Sequence, residues 1–390
     1  MARVRDEGLS AVREFAERFG DIEPGGQIVY TREDLAAAAR QVTVDQRELL
    51  DRTAARIRHF AEAQRDSLRE MRTPIPGGEA GHFIAPVERA GCYAPGGRFP
   101  LVSSVLMTAV TAGAAGVRDV VVASPRPNEV ILAAAFIAGA KCLYAVGGAH
   151  AIALLAYGAE DVRPCDVVVG PGNPWVTAAK KIVSGRVGID MLAGPSELTV
   201  FADDSADPEV IAADLLAQAE HGYDSLPVLV TTHAPLLDAV NRALAEQMKD
   251  LPTRETAEAS LRKGFGIVAA SIDEGVTCID RIAPEHLEVI CRDAEQTARR
   301  FNHYGGIFIG QAAAEVLGDY GAGPNHTLPT GSTARYTGGL SVFHFLRTRT
   351  WMRIDKPDEA FQLVEDARDL SRLEALEAHA RSAEKRLRRD

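Results

Sequence analysis

The chain has 390 residues, of which 46% are apolar and 25% charged, with a formal net charge of −11. That length supports two or more ordinary cores, and the negative balance argues against sequence-independent binding to nucleic acid. The opening twenty residues hold no apolar run of signal-peptide length, and no run of eighteen apolar residues is present to cross a membrane. Five scattered cysteines, none in a C-x-x-C pair, read as reduced thiols. A cytoplasmic protein is expected, in which any metal is bound by His, Asp, Glu or Gln.

Residues 1–70 read as helices, with Leu9, Val12, Phe15 and Phe19 and then Leu49, Ala54, Ile57 and Phe60 at helical spacing. Thr73 to Gly81 reads as a turn-rich connector. From Val87 onward short apolar runs alternate with helices. Strands are expected at Val120–Ala123, Leu143–Val146, Val167–Val169 and Leu198–Phe201, then in a second block at Val228–Thr231, Ile267–Ala270 and Ile307–Ile309. The tail from Glu359 reads as a charged helix. Alternation of strands and helices implies parallel sheets covered on both faces. The expected fold is α/β, with two Rossmann-like domains flanked by helical N- and C-terminal segments. The boundaries place residues 1–90 with 199–340 in one domain, 91–198 in a second on the cofactor side, and 341–390 in a C-terminal helical dimerisation segment. No G-x-G-x-x-G follows any strand, which counts against an ordinary dinucleotide loop but leaves other loops at strand ends available.

Four segments carry candidate chemistry. Gln218 and His221 lie three apart on one helix and share a face, so both can reach one divalent ion; a histidine favoured by the dipole at a helix C-terminus is the plainer alternative. Glu285 and His286 follow a proline just before a strand and form a possible acid/base pair. Three glycines and a proline in Gly318 to His326 set an irregular loop presenting Asp319 and His326. Glu374 and His379 lie in the tail helix. Together these offer ligands for a metal beside groups for proton transfer. His59, His82, His233, His303 and His344 have no such company.

At this point the sequence resembles the histidinol dehydrogenase family. The strings that carry the resemblance are GCYAPGG, SSVLM, VGGAHAIALLAYG, VVGPGN, GIDMLAGPSE, DLLAQAEH, RIAPEHLEV, LGDYGAGPNHTLPT, TARYTGG and LEAHA, in one order from Val87 to His379. The resemblance implies a zinc-dependent enzyme that oxidises a primary alcohol through an aldehyde to a carboxylate with two NAD molecules. It implies zinc ligands at Gln218, His221, Asp319 and His379, and water activation by Glu285. His286 becomes the acid/base for the alcohol proton. Ser196, His326 and Glu374 match positions that contact substrate, together with the zinc ligands and His286; Tyr93 and Asn173 match cofactor contacts. A homodimer is implied, with the C-terminal segment of one subunit completing the site of the other.

The sequence departs from the family at Gly147-Gly148-Ala149-His150, where His150 replaces a cofactor-contacting glutamine and presents a different hydrogen-bond geometry. The N-terminus begins inside the family's first helix, so the interlocking arm is expected to be reduced. HFAEAQRDSL, GHFIAP, PGGRFPL and ARYTGGL lean toward a paralogous branch acting on other small diols such as sulfopropanediol, whereas APEHLEV, GPSE and SSVLM lean toward histidinol. A binding protein without catalysis on the same fold is the alternative of another class.

Overall fold

A computed structural model describes residues 1–96 and 101–386, which separate into two compact units. The first comprises Met1–Arg65 with Val87–Phe345, and the second Asp66–Pro86 with Leu346–Asp390. The fold is mixed α/β, as the alternating pattern predicts.

Two sheets form the first unit. Across the larger, the strands run Val29–Tyr30, Cys142–Tyr144, Asp119–Ala123, Arg89–Tyr93, Val167–Val169 and Gly188–Ile189. Only the pairing of Val29–Tyr30 with Cys142–Tyr144 is antiparallel. The other sheet is wholly parallel, in the order Phe265–Val268, Leu226–Thr231, Glu197–Ala202, His286–Ile290 and Gly306–Ile309. The central runs VVVA and VVV are buried from end to end, as strands covered on both faces must be. In both sheets the parallel strands start in the middle, build outward on one side, and return to build the other, while Val29–Tyr30 adds an antiparallel edge to the larger sheet. Each sheet therefore has a switch point, between Arg89–Tyr93 and Val167–Val169 in one and between Glu197–Ala202 and His286–Ile290 in the other.

The N-terminal helices Ala2–Glu7 and Leu9–Arg18 pack on the helix Gly148–Tyr157, and Arg32–Ala38 packs on Glu129–Ile137. Residues 1–40 thus cover the first sheet, not the second with which the sequence reading grouped them. The reason is apolar: Val4, Val12, Ala16 and Ile28 join Ile152, Leu155 and Val168 in one buried cluster. Thr31 starts the third helix with a full capping box, its side chain accepting from Asp34 N–H while Asp34 accepts from Thr31 N–H.

The second unit differs from the expected connector and helical tail. Met71–Ile75 and Gly78–Pro86 form a hairpin, and Leu346–Ile354 pairs antiparallel along all nine residues of Gly78–Pro86. The β-branched and aromatic residues of Leu346–Ile354 suit a strand, and Trp351 stacks on Phe83. The helices Phe361–Leu373 and Glu377–Glu384 follow, as expected of the tail. Residues 387–390 of that tail, and Gly97 of the GCYAPGG string, lie outside the described residues.

Candidate active site

The helix Pro208–Glu220 opens with Asp207 accepting from Glu209 N–H and with Pro208 in its first turn, a well-terminated start. Its buried face is Ile211, Ala212, Leu215, Leu216, Gln218 and Ala219. Gln218 is completely buried, and His221, the C-cap residue, opens to solvent. The short helix Glu315–Asp319 faces it and presents Glu315 and Asp319 four residues apart on one side. His221 Nε2 lies 3.6 Å from Asp319 Oδ2 and 3.9 Å from Glu315 Oε1. One ligand atom from each of these three residues falls within 4.8 Å of the others.

Glu285 and His286 stand at the start of the strand His286–Ile290, just after Ala283, which adopts a left-handed conformation at φ 50° and turns the chain sharply out of the preceding helix. Glu285 Oε2 accepts from Ser196 Oγ–H at 2.7 Å and from Glu197 N–H at 3.0 Å. Burial raises the Glu285 carboxyl to about 7, with the nearby His286 opposing the rise. His286 Nδ1 lies 3.1 Å from the Glu197 carbonyl oxygen, which can only accept, so Nδ1 carries a proton, and in the neutral ring Nε2 is the acceptor. That Nε2 is buried without a hydrogen-bond partner among the described residues, 3.6 Å from Asp319 Oδ1. Burial disfavours charge on His286, but Glu285, Glu315 and Asp319 outweigh it and lift the imidazole to about 10. A cation among those carboxylates would compete for their charge and bring it down. Asp319, despite burial, is held below the ordinary carboxylate range by His286, His326 and His221.

The loop carrying His326 is fixed from several sides. Arg56 Nε donates to the Gly321 carbonyl at 2.6 Å, and Asn325 Nδ2 donates to the Met107 carbonyl at 2.8 Å. His326 Nδ1 pairs with the Asp319 carbonyl at 3.0 Å, leaving Nε2 toward Ser104 Oγ at 3.4 Å. Burial depresses the basicity of both His221 and His326, with Asp319 opposing it, and so favours the neutral ring that offers a lone pair.

The expected cofactor residues gather at the carboxyl end of the first sheet, on its switch point, where open α/β sheets offer a crevice for ligands. Tyr93 ends one switch strand and Gly170-Pro171-Gly172-Asn173 follows the other. Gly170 has φ +122°, and a Cβ there would sit 2.0 Å from the Tyr93 carbonyl oxygen, so only glycine fits. Lys180 Nζ donates to the Gly170 carbonyl at 2.9 Å, Asp190 Oδ2 accepts from Gly170 N–H at 2.7 Å, and the two side chains form a buried ion pair. Asn173 caps the next helix by accepting from the N–H groups of Trp175 and Val176. Tyr93 is buried with its hydroxyl accepting from Gly148 N–H at 3.1 Å. His150 Nε2 is committed to Asp21 Oδ2 at 2.7 Å, with its ring against Phe15 and Phe19, so this residue ties the N-terminal helices down. The segment from Asp190 to Ser196 joins the two clusters, since Asp190 holds Gly170 at one end and Ser196 holds Glu285 at the other.

The first unit thus brings together Ser196, Gln218, His221, Glu285, His286, Asp319 and His326 at one end of the second sheet, and Tyr93, His150 and Asn173 near the switch point of the first. Glu374 caps the helix Phe361–Leu373 in the second unit, and His379 lies in the helix after it. The sequence reading passed over Glu315, whose spacing from Asp319 was visible, and Ser104, Glu197 and Glu288. Glu288 Oε1 accepts from Glu315 N–H at 2.7 Å, and burial together with Asp214 lifts Glu288 to about 8.

The imidazole of His221 and the carboxylates of Glu315 and Asp319, with ligand atoms within 4.8 Å of one another, form a donor set that suits a divalent cation. Three buried atoms without a hydrogen-bond partner among the described residues, Gln218 Nε2, His286 Nε2 and Glu315 Oε2, lie on the residues gathered here.

The histidinol dehydrogenase family matches the chain over residues 1–387. Histidinol dehydrogenase of Pseudomonas fluorescens strain Pf-5 is 43% identical over 394 residues, spanning 98% of this chain and 88% of that protein. The crystal structure of histidinol dehydrogenase from Elizabethkingia anophelis superposes with a TM-score of 0.92 at 32% identity, over 99% of this chain and 90% of that one. An acetylating aldehyde dehydrogenase from Geobacillus thermoglucosidasius shares the fold alone, at 15% identity and a TM-score of 0.55, over 90% of each chain. By the length and level of these matches, the chain belongs to the histidinol dehydrogenase family.

Proposed function

We propose that the chain oxidises L-histidinol to L-histidine through the aldehyde, with zinc and NAD, as a homodimer. Membership of the family makes it an oxidoreductase; substrate, cofactors and assembly are our reading. The observation that carries it is the placing of the Glu285–His286 pair directly beside the ligand cluster of His221 and Asp319. A dehydrogenase for an amino alcohol needs those two functions side by side.

Gln218, His221 and Asp319 would hold the zinc, joined by His379 from the tail of a second subunit. Bound zinc would orient the substrate's amine and imidazole, and bound NAD would accept the hydride of each oxidation. The two oxidations together consume one water and two NAD and release two NADH with three protons. In the first, His286 Nε2 takes the hydroxyl proton while Nδ1 stays bonded to the Glu197 carbonyl, which keeps the ring in its productive tautomer. In the second, Glu285 takes a proton from water so that oxygen can add to the aldehyde carbon. Its carboxyl is suited to this at neutral pH because burial raises it to about 7. Ser196 fixes the direction of that carboxylate. Tyr93 and Asn173 frame the switch-point crevice that would take the dinucleotide, His150 acts on it through the Asp21 anchor, and His326 and Glu374 would contact substrate.

The test is NADH formation by zinc-loaded protein with L-histidinol, the corresponding aldehyde and a sulfonated diol in parallel. Two NADH per histidinol and histidine as product are expected. Turnover of the sulfonated diol in preference to histidinol rejects the substrate, and no turnover of any alcohol by folded, zinc-loaded protein rejects the enzyme reading.

A further inference from the structure

Glu315 has no part in the ligand set that the resemblance implies, yet it is built into the same cluster. It is 4% exposed, and its Oε2 has no hydrogen-bond partner among the described residues. The proton on His286 Nδ1 does not serve it. That nitrogen lies 3.4 Å from Glu315 Oε1 but 3.1 Å from the Glu197 carbonyl, which takes the bond. A carboxyl buried without a donor either keeps its proton or ionises beside a cation, so a divalent ion in reach would take the place of that proton. Its backbone is not free to withdraw, because Glu315 N–H is held by Glu288 Oε1 at 2.7 Å.

Distances supply the second observation. Donor atoms around a tetrahedral zinc lie about 3.3 Å apart, given ligand bonds of roughly 2.0–2.1 Å. His221 Nε2 is 3.6 Å from Asp319 Oδ2 and 3.9 Å from Glu315 Oε1, and all three donors fall within 4.8 Å. Side-chain adjustment alone closes that difference. Gln218, completely buried on the helix that His221 caps, has an amide nitrogen with no partner among the described residues while its oxygen accepts from Ser196 Oγ–H at 3.4 Å, and exchanging the two ends of the amide would free the oxygen for an ion.

We propose that Glu315 is a metal ligand supplied by the same unit as Gln218, His221 and Asp319, completing the coordination of a divalent cation until the tail histidine takes its place. The idea rests on the zinc reading above and deepens it. One unit then holds the ion with its own four side chains. Metal loading precedes assembly, and docking of His379 exchanges a carboxylate for an imidazole at a site already formed.

The experiment uses the full chain and reads metal, not turnover. Zinc per subunit and zinc affinity against a chelator are measured for wild type, His379→Ala, Glu315→Gln and His379→Ala/Glu315→Gln. His379→Ala should keep about one zinc per subunit, and adding Glu315→Gln should weaken its affinity roughly ten- to a hundredfold or more. Glu315→Gln alone should still hold zinc, which also shows that the substitution permits folding. In a second arm, Glu315→Cys is made in the His379→Ala background and loaded with cobalt(II). A sulfur-to-cobalt charge-transfer band should appear, because only a thiolate touching the ion produces it. A His379→Ala protein without zinc, a double variant as tight as His379→Ala, or bound cobalt without that band each overturns the proposal. Wild type free of zinc rejects the zinc reading itself, whereas the other failures leave that reading standing.

Discussion

Replacing Lys180 by methionine keeps the apolar stem but removes the charge that faces Asp190. Both side chains are buried, so the variant leaves an ionised carboxylate with no cation beside it. Breaking one partner of a buried pair costs about 3–5 kcal/mol. Asp190 keeps two N–H donors, from Gly170 and Met191 at 2.7 Å each, which places the expected loss near the lower end, about 3 kcal/mol. The Gly170 carbonyl also loses its donor, so the Gly-Pro-Gly-Asn loop should loosen and NAD affinity should fall more than turnover at saturating NAD. The double variant Lys180→Met/Asp190→Asn removes the stranded charge and should be more stable than Lys180→Met alone, though below wild type because an amide oxygen serves only one of the two N–H groups well. Denaturant unfolding followed by fluorescence measures the stabilities, and dinucleotide titration measures the affinity. A loss below about 1 kcal/mol in the single variant, or a double variant less stable than the single, would refute the clamp.

Because burial holds the Glu285 carboxyl at about 7 in the folded chain, oxidation of the aldehyde should fall as pH drops through 7, and Glu285→Gln should abolish that limb while sparing the first oxidation. The same shift has a stability consequence. The folded state prefers the neutral acid, so the contribution is complete below the ordinary glutamate value of 4.5 and is lost as pH rises through about 7. Glu285→Gln should therefore gain on wild type by up to about 3 kcal/mol between pH 5 and pH 8, and parallel pH profiles of unfolding would expose the error if the gap stayed constant. His150→Ala should free the N-terminal helices by removing the Asp21 bond and the ring between Phe15 and Phe19. Limited proteolysis should then cut within residues 1–22 much faster, and an unchanged cleavage rate speaks against the anchor. Mixing inactive His379→Ala with inactive His221→Ala should restore roughly a quarter of wild-type activity if each site of a two-fold dimer draws on both subunits. No recovery after proven subunit exchange would place His379 in the site of its own subunit or outside any site.

Local signals made much of the fold legible. VVVA and VVV read as buried strands because continuous apolar β-branched runs have few other uses. The three-residue spacing of Gln218 and His221 placed both on one helix face, and the glycine-framed loop of Asp319 and His326 pointed to a site by composition alone. What stayed hidden depends on partners distant in sequence. Leu346–Ile354 becomes a strand by pairing with Gly78–Pro86, and its charged, exposed residues give no apolar alternation to read. Phe265–Val268 lies two residues earlier than expected because an exposed edge strand is marked by its neighbour's register, not by its own hydrophobicity. Glu315 looked like any acidic residue at a helix start until its burial was known. His150 matched a cofactor position by alignment of strings, and the residue that engages it, Asp21, is 129 positions earlier. The second switch point also inverts the usual rule. Glu285 and Ser196 lie at the amino ends of their strands, where strand-end reasoning does not look.

The chain has two tryptophans, and each compact unit holds one. Trp175 is 74% exposed in the first turn after the Gly-Pro-Gly-Asn loop, whereas Trp351 stacks on Phe83 with the Arg72 guanidinium 5.5 Å from its ring centre. The protein therefore carries a separate intrinsic optical probe in each unit. Trp175→Phe leaves emission that follows only the unit with the tail helices, and Trp351→Phe leaves emission from the first turn after the Gly-Pro-Gly-Asn loop. Paired single-tryptophan variants turn one unfolding curve into two, and the order in which the halves melt can be read without adding any label.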